Sequence, residues 1–300
     1  MAFELGAVIP ILESGAERLV PSGADVIEQA RHAEQIGFDT IWLPDELLWQ
    51  VEGERPRGAW DGISMAGAVA AVTTRAKVGT WVMSALHRNP GIIAKTAETL
   101  DELSGGRFVF GLGAGHADPG QAHAFGLPET EVWARFEEAL RIIVPLLREG
   151  RADFEGRFVA AHDLAQAPRG PRPGRIPIML GGNGPKGRRL AVELADIYSC
   201  YVASLATPEE VGPHIESLEA ICEELGRDPA SIGRSVGVYA HPLEPSGFRP
   251  SRLSGSAEEI AGGIRAFRAA GFTQVELMYA PPTMAALDAL VPVVEAIRAD

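Results

Sequence analysis

The chain has only two cysteines, Cys200 and Cys222, and neither belongs to a Cys-x-x-Cys or mixed Cys/His cluster. That excludes a disulfide framework and gives no sign of a zinc site. Lysine is nearly as scarce, with Lys77, Lys95 and Lys186 in 300 residues. Acidic residues outnumber basic ones 40 to 27, a formal charge of −13. Such a balance opposes nucleic acid, where affinity rests on neutralising phosphates, and also opposes anionic membrane surfaces. No window of 18 apolar residues could span a bilayer. The opening Met-Ala-Phe-Glu-Leu lacks the basic start and long apolar core of a signal peptide. The expectation is a cytoplasmic protein that handles a small molecule, without a nucleic-acid, membrane or metal partner.

What the chain has in abundance is a rhythm. Short apolar runs at 3–9, 40–43, 78–83, 108–112, 176–180, 197–202, 236–240 and 275–278 do not alternate with polar residues. Parallel strands covered on both faces read this way. Between them lie stretches of helical periodicity at 24–36, 61–74, 92–103, 133–147, 187–194, 208–225 and 260–270, with a last one at 284–299. Gly62 and Gly67 weaken the second helix. Gly37 and Gly271 each stand at a helix end just before a strand. Eight strand–helix units point to a single closed (β/α)8 barrel over residues 1–300. The surplus falls at 44–60, 114–130, 150–175 and 241–256. The first two follow the second and fourth strands, where barrel enzymes build active sites.

Four segments carry candidate chemistry. Gly111-Leu-Gly113-Ala114-Gly115-His116 follows the fourth strand. A dinucleotide fingerprint would need Gly at 116 and a helix starting at once. The stretch reads either as a tight turn or as a surface flat enough for a ligand ring. Gly181-Gly182-Asn183-Gly184-Pro185-Lys186 joins the fifth strand to a helix and offers free N–H groups to an anion, or is an ordinary turn. Asp45 and Glu46 end the second strand. One of them could move a proton if desolvated, or both could be a solvated helix cap. Trp81, Val82, Met83 and Ser84, followed by His87 and Arg88, say little alone.

Together these segments resemble the bacterial-luciferase-like monooxygenases and their deazaflavin (coenzyme F420)-dependent relatives. The matching stretches are Ala33-Glu-Gln-Ile-Gly-Phe-Asp-Thr-Ile-Trp-Leu-Pro-Asp45, Lys77-Val-Gly-Thr-Trp-Val-Met83, Arg88-Asn-Pro, Leu100-Asp-Glu-Leu-Ser-Gly-Gly-Arg-Phe-Val-Phe-Gly-Leu-Gly-Ala-Gly115 and Leu180-Gly-Gly-Asn-Gly-Pro-Lys186. Leu-Ser-Gly-Gly-Arg is the most specific of them.

The resemblance implies a TIM-type barrel, possession of a flavin or deazaflavin, and a dimer as a family expectation. It sets Asp45 and Glu46 beside the reactive ring and Ser84 at the ring's hydrogen-bonding edge. The Trp81–Val82 bond falls where relatives carry a non-prolyl cis peptide. Gly113 and Ala114 would face the ring; Gly181, Gly182, Asn183, Gly184, Lys186 and Cys200 would line the cofactor's tail and phosphate.

Two departures bear on function. Relatives acting on sugar phosphates carry His at position 46 and Glu at position 116, so Glu46 and His116 are an exchanged proton-handling pair. FMN-using relatives often carry Arg in the turn after the fourth strand, and Gly113-Ala114-Gly115 supplies none. The expectation is an F420-dependent oxidoreductase moving a hydride to or from a small organic substrate. The alternatives are an FMN-dependent monooxygenase, a binding protein without turnover, and a cofactor-free hydrolase.

Overall fold

Each of the eight apolar runs becomes a parallel strand, and their order in the chain is their order around a ring. The computed structural model describes residues 2–14, 18–49, 53–115, 119–201, 207–247 and 253–299. The barrel strands are β1 Glu4–Val8, β2 Thr40–Leu43, β3 Lys77–Thr80, β4 Phe108–Gly113, β5 Ile178–Gly181, β6 Ile197–Tyr201, β7 Gly233–His241 and β8 Gln274–Tyr279. Every strand pairs in parallel with the next, and β8 pairs with β1 to close the barrel. Val202, the end of one expected run, lies outside the described residues. The run expected over 78–83 divides: β3 stops at Thr80, the Trp81–Val82 peptide is cis, and Met83–Ser84 then pairs with β4.

The outer layer comprises α1 Gly23–Ile36, α2 Gly62–Val72, α3 Pro90–Leu103, α4 Val132–Glu149, α5 Pro185–Leu194, α6 Pro208–Leu225, α7 Ala257–Ala269 and α8 Val291–Arg298. Gly37 ends α1 at φ 107°, its N–H reaching the carbonyls of Ala33 and Glu34. This left-handed turn closes a helix at little steric cost only for glycine. The last helical stretch, expected to be continuous, is two helices, Met284–Asp288 and α8. Pro292 explains the break, because a proline cannot donate to the carbonyl four residues earlier and its ring clashes there.

Gly62 does not weaken α2 so much as seat it. A Cβ there would lie 1.9 Å from the Pro44 carbonyl oxygen, so only glycine lets the helix start rest on the end of β2. Asp61 caps α2 by accepting from Ser64 N at 2.7 Å.

The surplus segments are built loops. Leu48–Trp49 pairs antiparallel with Arg57–Gly58 after β2, a short helix Pro119–Phe125 follows β4, and Arg151–Glu155 pairs with Ala160–Ala165 after α4.

Inside the ring, the Trp42 indole fills the centre. A Cβ on Gly79 would lie 2.2 Å from the ring, and one on Gly6 would lie 2.5 Å from its nitrogen. Two glycines on flanking strands thus make room for one large side chain.

Candidate active site

Strand alternation decides which residues the barrel mouth presents. Val8, Trp81, Gly113, Gly181, Ser199, Tyr239 and Met278 turn inward and line a cavity of about 650 Å³ at the C-terminal ends of the strands. That volume suits a small-molecule or cofactor site. Its side walls come from the loops and include Glu13, Trp49, Arg57, Gln121 and Trp133. Among the described residues no group of His, Cys, Asp and Glu could hold a metal ion, and no helix is long and apolar enough to cross a membrane.

The polar end of the cavity is organised by Asp45, whose side chain has no exposed surface. Its Oδ2 accepts from Ser84 N at 2.9 Å and from Arg88 Nη1 at 2.6 Å, while Oδ1 accepts from Arg88 Nη2 at 2.9 Å. This is a two-pronged guanidinium–carboxylate pair, the strongest form of such a contact. Arg88 also donates to Asp61 Oδ2 at 3.0 Å. Asn89 caps α3 and Pro90 occupies its first turn, which fixes the chain direction that delivers Arg88 to Asp45.

Glu46 follows on the cavity wall, partly open to it yet closely surrounded by protein. Desolvation pushes its carboxyl above the ordinary range; the neighbouring Asp45 charge adds to this, while a backbone N–H opposes it. A carboxyl displaced upward in a cleft is a candidate for moving a proton. His116, its expected partner, lies outside the described residues. His87 is the imidazole that lines the cavity near Glu46 among the described residues.

The glycines after β4 serve two purposes. A Cβ on Gly111 would lie 1.9 Å from the Thr80 carbonyl oxygen, and one on Gly115, at φ +96°, would lie 2.6 Å from Ser84 Oγ. They let β4 approach the Thr80–Ser84 segment, and Gly113, Ala114 and Gly115 also form a flat stretch of cavity wall. Trp81 and Val82 line the cavity too, with Trp81 Nε1 donating to Ser199 Oγ across the barrel at 3.1 Å.

At the far end, Gly181, Gly182 and Asn183 line the cavity, whereas Gly184 and Lys186 do not. The Lys186 ammonium is exposed and pairs with Glu137 at 2.7 Å. Gly184 begins α5 without a side-chain cap. Cys200, expected on the cofactor's tail, faces the other way. Alternation along β6 gives Ser199 to the cavity and Cys200 to the hydrophobic layer, where burial pushes its thiol up to about 11.

The sequence offered no mark for Gln121, Trp133 or Tyr239 as site residues. Trp133 and Tyr239 belong to segments whose local pattern reads as helix and strand, and Gln121 lies in the long segment after the fourth strand, where no residue pattern singles it out. His87 and Arg88 were visible as residues but not as parts of a site, because their partner Asp45 is more than 40 positions away.

The fold recurs in solved structures. An F420-dependent secondary alcohol dehydrogenase in complex with an F420–acetone adduct superposes with a TM-score of 0.82 at 21% identity, covering 99% of this chain and 100% of that one. A riboflavin lyase with modified FMN and riboflavin gives 0.80 at 16% identity, covering 99% and 92%. In sequence, an F420-dependent glucose-6-phosphate dehydrogenase of Kineococcus radiotolerans is 34% identical over 192 residues, 63% of this chain and 55% of that protein. The chain thus spans about half the length of that relative. The pyrimidine monooxygenase RutA of Agrobacterium fabrum is 30% identical over 273 residues, 86% of this chain and 73% of that protein. The family model described as luciferase-like monooxygenase matches residues 3–246, and the chain belongs to that family.

Proposed function

We propose that the protein is an F420-dependent oxidoreductase that moves a hydride between the deazaflavin and a small organic substrate. Glu46 and His116 are its proton-handling pair. The observation that carries this reading is the cavity itself. It is a largely apolar chamber at the strands' C-terminal ends, lined by an upward-shifted carboxyl and by the Gly181–Asn183 turn that leads into an uncapped helix start.

The residues present suit such a cofactor. The stretch Gly113–Ala114–Gly115 and the side chain of Val82 offer flat, close surfaces for a ring system. The first turn of α5, which has no side-chain cap, offers backbone N–H groups and the positive end of a helix to a phosphate. When bound, F420 supplies the hydride-carrying ring. Trp49, Trp133 and Tyr239 line the same cavity and would give the ring apolar walls. Glu46 takes the hydroxyl proton of an alcohol as its hydride leaves, or returns that proton when a carbonyl is reduced.

The relatives named as F420-dependent support this reading. RutA and the riboflavin lyase favour the second one, an FMN-dependent monooxygenase. Titration of the protein with F420 and with FMN, followed by fluorescence, separates the two. Tight F420 binding with hydride exchange on alcohols or enones is expected. FMN binding without F420 binding would overturn the proposal, and F420 binding without any exchange would make the protein a carrier. Full turnover in both Glu46→Gln and His116→Ala would remove the proton assignment.

A further inference from the structure

Gln121, on the short helix after β4, is oriented by what it binds. Its Oε1 accepts from the backbone N–H groups of Leu47 at 3.0 Å and Leu48 at 2.9 Å. A carboxamide nitrogen only donates, so these two donors settle which end of the amide is which. The Nε2 end faces His87 Nε2 at 3.4 Å, and a donor aimed at an imidazole nitrogen requires a lone pair there. The proton of neutral His87 is then on Nδ1, which faces Asp45 Oδ2 at 3.5 Å. Among the described residues Nδ1 has no hydrogen-bond partner, and the carboxylate beside it only accepts, so it does not oppose the tautomer that Gln121 selects.

His87 is 5% exposed at its side chain and lines the cavity. The charged groups around it are Asp45, the Arg88 bound to Asp45, and Glu46. We propose that Gln121 is a positioning residue that locks His87 as the Nδ1-protonated neutral tautomer and ties the backbone after Glu46 to the loop after β4. With Nε2 held by Gln121, His87 is a fixed wall of the cavity, and proton transfer is left to Glu46 and His116. That last step rests on the proposed role of Glu46; the tautomer does not.

The test uses the free protein labelled with 15N in histidine. Long-range 1H–15N correlation at about pH 8, above the ordinary imidazole range, reports which ring nitrogen carries the proton. The His87 signals are identified by their loss in His87→Asn. Protonated Nδ1 and unprotonated Nε2 are expected. Gln121→Glu replaces the amide donor with an acceptor and is expected to move the proton to Nε2, and Gln121→Met is expected to give a mixture of tautomers. In turnover, Gln121→Glu is expected to lower kcat about tenfold or more with KM little changed, as befits lost positioning. A wild-type His87 protonated on Nε2, or a tautomer unmoved in both Gln121 variants, would overturn the proposal. Wild-type protein inactive with F420 would count against the proposed function, while the tautomer measured in the free protein would still decide the role of Gln121.

Discussion

Two carboxylates are buried in one barrel and end in opposite circumstances. Asp45, at the mouth, receives two guanidinium N–H groups and a backbone N–H. Glu276, inside the ring on β8, receives only the Ser235 hydroxyl, at 3.0 Å on Oε1. Its Oε2 has no hydrogen-bond partner, and the same is true of the Trp42 indole nitrogen. Burial pushes the Glu276 carboxyl up to about 8; the Ser235 hydroxyl works against this, and the charges of Glu4 and Asp39 reinforce it. Depth alone therefore does not set the charge of a buried acid. The donors that the fold brings to it do.

The comparison breaks most sharply at Arg88. Arg88→Ala leaves Asp45 a buried, uncompensated charge, and a loss of about 3–5 kcal/mol is expected in urea unfolding. A loss below about 1 kcal/mol would show that water reaches Asp45 and that the mouth is not dry. The interior can be strained next. Gly79→Ala drives a methyl to 2.2 Å from the Trp42 ring, which sits beside Glu276 and cannot retreat easily. About 1–3 kcal/mol of destabilisation is expected, read from the thermal midpoint.

Glu276→Gln sharpens the contrast through pH. The acid titrates near 8 when folded, against an ordinary 4.5. The stability tied to its neutral form is therefore complete below about pH 4.5 and is lost as pH rises through about 8. Glutamine stays neutral, so the variant should lose less stability than the wild type between those values. Denaturant midpoints at several pH values check this, and parallel curves would mean that folding does not raise the Glu276 carboxyl. The smallest stability change is expected at Lys186. Its exposed pair with Glu137 predicts a change within about 0.5 kcal/mol for Lys186→Ala. Weaker F420 binding in the same variant would assign its ammonium to the anion rather than to Glu137.

Much of the architecture is legible in the chain alone. Non-alternating runs name the strands, Gly37 marks a helix end, and the long segments after the second and fourth strands point to the mouth. Asp45 and Glu46 are visible as a pair, but not as a divided one, with the first committed to Arg88 and the second pushed up by desolvation. Cys200 shows the limit well. A cavity role on β6 depends on the parity of one residue, and an apolar run buried on both faces carries no alternation from which to read parity. Gln121 shows another limit. Its worth lies in contacts to His87, Leu47 and Leu48, residues 34 to 74 positions away, and nothing local signals them.

By itself the sequence determined the barrel, because burial on two faces and helical periodicity are properties of neighbouring residues. It also determined where the loops leave the ring, since glycine and proline act on the backbone at their own positions. Tertiary structure alone decided which side chains turn inward, which acid keeps a counter-ion, and which imidazole nitrogen bears a proton. Those outcomes depend on distances between strands that the chain order leaves open, and electrostatic and hydrogen-bond energies are set by such distances.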